Sequence, residues 1–155
     1  TLFRSGGGLS EAEDRLAIVA LLDRYTEALD TRRWELLDEV FDPDVVFDFG
    51  PDWQTRGRGA AVERIRAALD ACGPTQHLQG NHRIEIEGDR ARSRVYVRAF
   101  HAAADPAERA AGRFYEMAGE YRDELRRGSD GWRSLRRVGR MRFEVGDREV
   151  LAPKH

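Results

Sequence analysis

Apolar residues recur at helical spacing through the first half of the chain and alternate through much of the second. Ile18, Leu21, Leu22, Tyr25 and Leu29 fall on one face of a 3.6-residue period, which predicts an amphipathic helix. Ser10 suits its N-cap, and Glu11 and Glu13 stand in the first turn, where the helix dipole favours anions. The pattern stops near Leu29, and Asp30 follows. Tyr25 and Asp30 lie roughly 140° apart on a straight helix, so they converge only if Asp30 stands at a frayed helix end. Trp34, Leu37, Val40 and Phe41 predict a second helix, ended by Asp42-Pro43. Val45, Phe47 and Phe49 then alternate with Val46 and Asp48 as a short strand. Gly57 and Gly59 mark a turn before a third helix with Val62, Ile65 and Leu69 inward, which Gly73-Pro74 stops.

From Gln76 onward the chain is strand-like. A strand from Gln76 to Ile86 turns at Gly88-Asp89 into a second from Ala91 to His101. Ala91, Ser93, Val95, Val97, Ala99 and His101 share one face of it. A loop, AAADPAERAAGR, long for a hairpin and read as partly helical or mobile, precedes two further strands, Phe114 to Arg127 and Trp132 to Val145, joined at GSDG. Three helices followed by a curved, mainly antiparallel sheet is an α+β arrangement, and a helical layer over a concave sheet leaves a pocket between them. No internal repeat is visible. One domain over residues 11–150 is expected, between a flexible Gly-rich segment, residues 1–10, and a short tail, residues 151–155.

Composition narrows the function classes. The chain has 155 residues, room for one domain with a true core, and a formal net charge of −2, which argues against a nucleic-acid partner. Its basic residues are arginines except Lys154, leaving many guanidiniums able to grip an anion. The single cysteine, Cys72, excludes an intramolecular disulfide and reads as a small buried hydrophobe. No apolar run is long enough for a membrane span and no signal-peptide core is present, so a cytoplasmic protein without a membrane partner is expected.

The segments RYTEALDTRRWELLDEVFDPDVVFDF, TQHLQGN, EGDRARSRVYVRAFH and EYRDELRRGSDGWRS, in this order and spacing, resemble the SnoaL-like branch of the nuclear transport factor 2-like superfamily. The resemblance covers nearly the whole chain after the Gly-rich start and implies that superfamily's cone: three N-terminal helices on a curved, mainly antiparallel sheet. Within the branch the pattern is closest to lyases such as scytalone dehydratase, bile acid 7α-dehydratase and lindane dehydrochlorinase. The resemblance implies a catalytic aspartate at Asp30 and histidine at His77, with Tyr25, His101 and Arg142 (or Arg140) at matching places. It also departs from them. Leu29 and Phe49 stand where scytalone dehydratase has its water-binding tyrosines, and the general-base aspartate of ketosteroid isomerases falls at Phe49 or, with a slip, Asp48. The fold is therefore implied more securely than the reaction.

The residues suit that chemistry. A histidine can remove a proton next to a carbonyl, and a carboxylate on its other ring nitrogen fixes the tautomer and stabilises the imidazolium. The ordinary alternatives are a core His77 satisfied by a backbone carbonyl and an Asp30 that binds its own backbone. Tyr25 is a candidate oxyanion donor or a core tyrosine; His101 is a second acid–base group or a structural histidine. Arg142, Phe49, Trp53 and Val97 are the candidate substrate-binding residues. His77 and His82, an odd number of residues apart, face opposite sides of a regular strand, and no HExxH or cysteine cluster accompanies them, so no metal is expected. No nicotinamide or flavin motif appears, so no cofactor is expected either. The expected function is a cofactor-free lyase, dehydratase-like, on a hydrophobic polycyclic or polyketide-like small molecule. The alternatives are a SnoaL-like cyclase or isomerase, or a non-catalytic ligand-binding module. A homo-oligomer, most simply a dimer, is expected from the family's habit and the apolar strand faces.

Overall fold

The computed structural model describes residues 10–152. Of the flexible segment expected over residues 1–10 only Ser10 is described, and of the tail over residues 151–155 only Leu151 and Ala152. Helix α1 spans Glu11–Thr31 and opens on a capping box: Ser10 accepts from the Glu13 amide, and the Glu13 carboxylate accepts from the Ser10 amide. Its apolar face, with Ile18, Leu22, Tyr25 and Leu29, is buried. A 3-10 helix, Trp34–Glu39, leads into strand β1, Phe41–Asp48. Strand β2, Gln54–Arg56, pairs back on β1, and helix α2, Arg58–Asp70, buries Ala61, Ile65 and Leu69.

Four long strands follow: β3 (Thr75–Glu87), β4 (Arg90–Ala102), β5 (Phe114–Gly128) and β6 (Gly131–Gly146). With β1 and β2 they form one curved, unclosed sheet in the order β2-β1-β6-β5-β4-β3, antiparallel except where β1 runs parallel to β6. The helices pack on its concave face, as the cone arrangement requires. A short 3-10 helix, Arg148–Leu151, ends the described chain, with Val150 buried.

Two expectations about elements are corrected. The second helix is a single 3-10 element, and Phe41, Asp42 and Pro43 belong to β1. Pro43, which cannot donate to a ladder, falls in the interruption of β1–β6 pairing between Phe41 and Val46. Strand β2 was not anticipated. The long loop after β4 is partly helical, one of its two expected forms: it carries α3 (Pro106–Ala110), with Asp105 as its N-cap.

Two buried ionic contacts cross the core. Asp14 on α1 accepts from Arg127 and from the Trp132 indole, at 2.7–2.9 Å, fastening the start of α1 to the β5–β6 hairpin. Arg137 and Asp123, both fully buried, form a bidentate pair at 2.9–3.0 Å between β6 and β5. The Arg137 guanidinium lies 4.0 Å over the Tyr25 ring and 5.2 Å from that of Tyr121. Asp123 outweighs the cost of burying that cation and holds its pKa above the ordinary value.

Candidate active site

Asp30 reaches the sheet because α1 ends there. Arg32, one residue beyond the helix, takes a left-handed conformation (φ 59°). Its guanidinium donates to the carbonyls of Leu69 (3.1 Å) and Gly73 (2.9 Å) and to the Thr75 hydroxyl (2.9 Å). Arg32 thereby binds the end of α1 to the end of α2 and the start of β3. The Thr75 hydroxyl donates in turn to Asp30 Oδ1 at 2.9 Å.

On β3, the His77 backbone amide donates to Asp30 Oδ2 at 2.9 Å, and His77 Nδ1 lies 2.7 Å from Asp30 Oδ1. A carboxylate accepts, so Nδ1 carries the proton and Nε2 presents a lone pair. Burial alone would raise the Asp30 pKa. The bonds from the His77 ring and amide, the electrostatic attraction of that ring and Thr75 outweigh it and hold the carboxyl below its ordinary value. His101 stands beside this pair, its ring 5.2 Å from that of His77 and nearly perpendicular to it. His101 Nδ1 lies 3.2 Å from the Tyr115 carbonyl, which only accepts, so this nitrogen too is the protonated one. Burial, then the neighbouring His77, push the His101 pKa down to about 4, against the pull of that carbonyl. At neutral pH His101 is an uncharged imidazole.

Both histidines line a mostly apolar cavity of about 130 Å³ between α1, α2 and the sheet. Tyr25, Leu29, Phe49 and Trp53 also line it. Phe49 stacks on Phe47 at 4.2 Å and lies flat on Gly139, where an added Cβ would stand 2.8 Å from the ring. Tyr25 is buried edge-on against Phe41 and Tyr121, and burial raises its pKa, partly offset by Arg137.

Of the predicted site residues, Asp30 meets His77, and Tyr25, His77, His101, Phe49 and Trp53 share the cavity. Val97 does not line it; its side chain is packed in the core on the strand face that carries Ala99 and His101. Arg142 also lies elsewhere. It is the extra residue of a bulge opposite Ala118 and Gly119, and it turns to the outer face of the sheet, near Glu120 (3.3 Å) and over the Tyr96 ring. Arg140 is likewise outside the cavity, near Asp48. His82 is exposed and is not a lining residue.

Tyr115, Tyr121 and Arg148 line the cavity and were not singled out from the sequence. The Tyr115 hydroxyl donates to Glu144 at 2.8 Å, and burial with this bond pushes its pKa up to about 12. Tyr115 and Tyr121 have the parity of the inward face of β5, a signal that alternation carries; Arg148 lies beyond the strand, where no period applies. Leu151 also lines the cavity, although the predicted domain ended at residue 150.

Residues 10–138 match the family model described as the SnoaL-like domain. An uncharacterized protein of Mycobacterium tuberculosis is 34% identical over 138 residues, which cover 88% of this chain and 91% of the relative. Among solved structures, a Novosphingobium aromaticivorans protein provisionally assigned as an aromatic ring hydroxylase is 26% identical, with a TM-score of 0.79 over 92% of this chain and 99% of the other. Another protein of that organism, provisionally assigned as a scytalone dehydratase, is 21% identical, with a TM-score of 0.76 over 88% and 91%. A hexachlorocyclohexane dehydrochlorinase is 19% identical, with a TM-score of 0.73 over 88% and 93%. The last two likenesses speak for the fold, which is the nuclear transport factor 2-like cone.

Proposed function

Because the chain belongs to the SnoaL-like family, we propose that it is a cofactor-independent lyase that eliminates water from a small, largely apolar hydroxy-carbonyl compound. The observation that carries this is the 2.7 Å contact between Asp30 and His77, with His77 lining an apolar cavity. Asp30, ionised, holds the Nδ1 proton and stabilises the imidazolium that forms. His77 Nε2 takes the proton α to the carbonyl; the electron pair forms the new double bond as the β C–O bond breaks. Tyr25 is the candidate donor to the enolate oxygen that develops. The leaving hydroxide needs a proton. His101 is uncharged with its one N–H committed to Tyr115, so His77 returns the proton it took, which suits elimination across one face.

The cavity limits what enters. An apolar cavity of about 150 Å³ takes up benzene, so the enclosed space here suits a single ring, and a polycyclic molecule would extend beyond it. The test is incubation with ring-bearing β-hydroxy ketones, chelator present, followed by mass spectrometry. Loss of one water by the wild type, absent in His77→Ala and slowed in Asp30→Asn at unchanged substrate affinity, is the expected result. Product of unchanged mass would replace the lyase with a cyclase or isomerase. Tight binding without conversion would leave a ligand-binding module.

A further inference from the structure

We infer that the molecule taken into this cavity carries an anionic tail, received at the cavity mouth by Arg148 with Arg64 beside it. This names a substrate class for the proposed site and rests on that cavity being a ligand site. Among the lining residues, Met141 is 45% exposed and the Arg148 side chain 69%, so the opening lies beside them. Outside it a second cleft shares Trp53, Ala68, Arg148 and Leu151 with the cavity and adds Arg64 and Glu149. The Arg64 guanidinium lies 5.2 Å over the Trp53 ring and makes no hydrogen bond or ion pair among the described residues. Arg148 has one ion-pair partner there, Glu144, at 4.0 Å; that same Glu144 oxygen already accepts the Tyr115 hydroxyl at 2.8 Å.

The donors of both guanidiniums are therefore largely unspent, and the cleft sets these two cations against the single acid Glu149. The site is polarised along its length. Uncharged or dyad-bound imidazoles and apolar rings form its inner end, and two cations with most of their donors unspent stand at its mouth. A ring with a short arm ending in carboxylate or phosphate matches both ends at once, because a guanidinium meets either group with two parallel bonds.

The probes are 3-phenylpropanoate and its neutral isostere 3-phenylpropanamide, titrated by ligand-observed NMR at pH 7.5 and low salt. The wild type is expected to bind the acid about two- to fivefold tighter than the amide, the range of one exposed ion pair. Arg148→Gln should abolish this preference; Arg64→Gln should reduce it. Equal affinity of the wild type for acid and amide overturns the anionic tail alone, as does a preference that survives in Arg148→Gln. Binding of neither probe overturns the tail together with the ligand cavity on which it rests.

Discussion

His101 separates two roles that its residue type leaves open. A histidine with an ordinary pKa could shuttle protons near neutrality, whereas this one is held at about 4 by burial and by His77. The sign follows directly. Between about pH 6.5, where an unfolded histidine titrates, and pH 4, the unfolded chain binds a proton that the folded chain refuses. Stability from this group is fully present above that window and is lost as pH falls through it, by up to about 3 kcal/mol. Urea midpoints at pH 7.5 and 4.5 should therefore drop more for the wild type than for His101→Gln. Equal drops would mean that His101 titrates normally. The depressed Asp30 carboxyl acts in a different window, losing its contribution only as pH falls below the ordinary carboxylate range.

Between elements, the least typical contact is the Arg137–Asp123 pair joining β6 to β5 beneath Tyr25. Desolvating two charges costs several kcal/mol per ion, and removing one partner strands the other. Asp123→Ala should thus destabilise the fold by about 3–5 kcal/mol in urea unfolding, and by more than removal of exposed pairs such as Arg15–Glu11. Comparable small losses would show that water reaches Arg137. This pair also marks where sequence legibility ended. The face of β4 that carries Ala91 to His101 was readable because its inward residues are mostly apolar and strictly alternate. The inward face of β5 and β6 holds Asp123 and Arg137, which reverse the usual meaning of charge, so arginines there default to the surface. Parity on β6 was unreadable for a second reason. A register shift at Leu135 already reverses the alternation that starts at Trp132 and Ser134, so that Arg137, Gly139 and Met141 face inward and Arg142 outward; the bulge at Arg142, where an added Cβ on Gly119 would stand 2.1 Å from the Arg140 carbonyl, then leaves Phe143 outward and Glu144 inward. Asp30 and His77 were singled out by the family resemblance, since helix end and strand start by themselves fit a cap aspartate and a core histidine equally well. Arg32, which fastens those two elements, sits in an unremarkable arginine pair.

At the scale of the whole molecule, the helices cover one face of the sheet and leave the other bare. Leu78 on β3, Tyr96 and Phe100 on β4, and Phe143 and Val145 on β6 are exposed there, at 39–58% of their surface. Interleaved among them are Arg98 with Glu116 and Arg142 with Glu120. A surface with both signs and an apolar stripe is self-complementary, which a two-fold interface requires, since each patch must meet its own copy. Apolar side chains gathered on one face also suit contact with a partner surface. The expected state is therefore a dimer joined through the outer sheet face, with the cavity mouths on the opposite side free to take ligand. Light scattering at micromolar concentration should give twice the chain mass of 17.7 kDa. Phe143→Asp places a charge in that stripe without touching the core, so it should shift the protein to monomer while its circular dichroism stays unchanged. A wild type that scatters as a monomer, or a Phe143→Asp variant that remains dimeric, would mean that the face is not the interface. The variant also tests independence of site and assembly. None of the cavity-lining residues except Met141 lies beside Phe143 on the bulge, so a monomeric variant should keep its affinity for cavity ligands within about twofold, corresponding to roughly 0.4 kcal/mol.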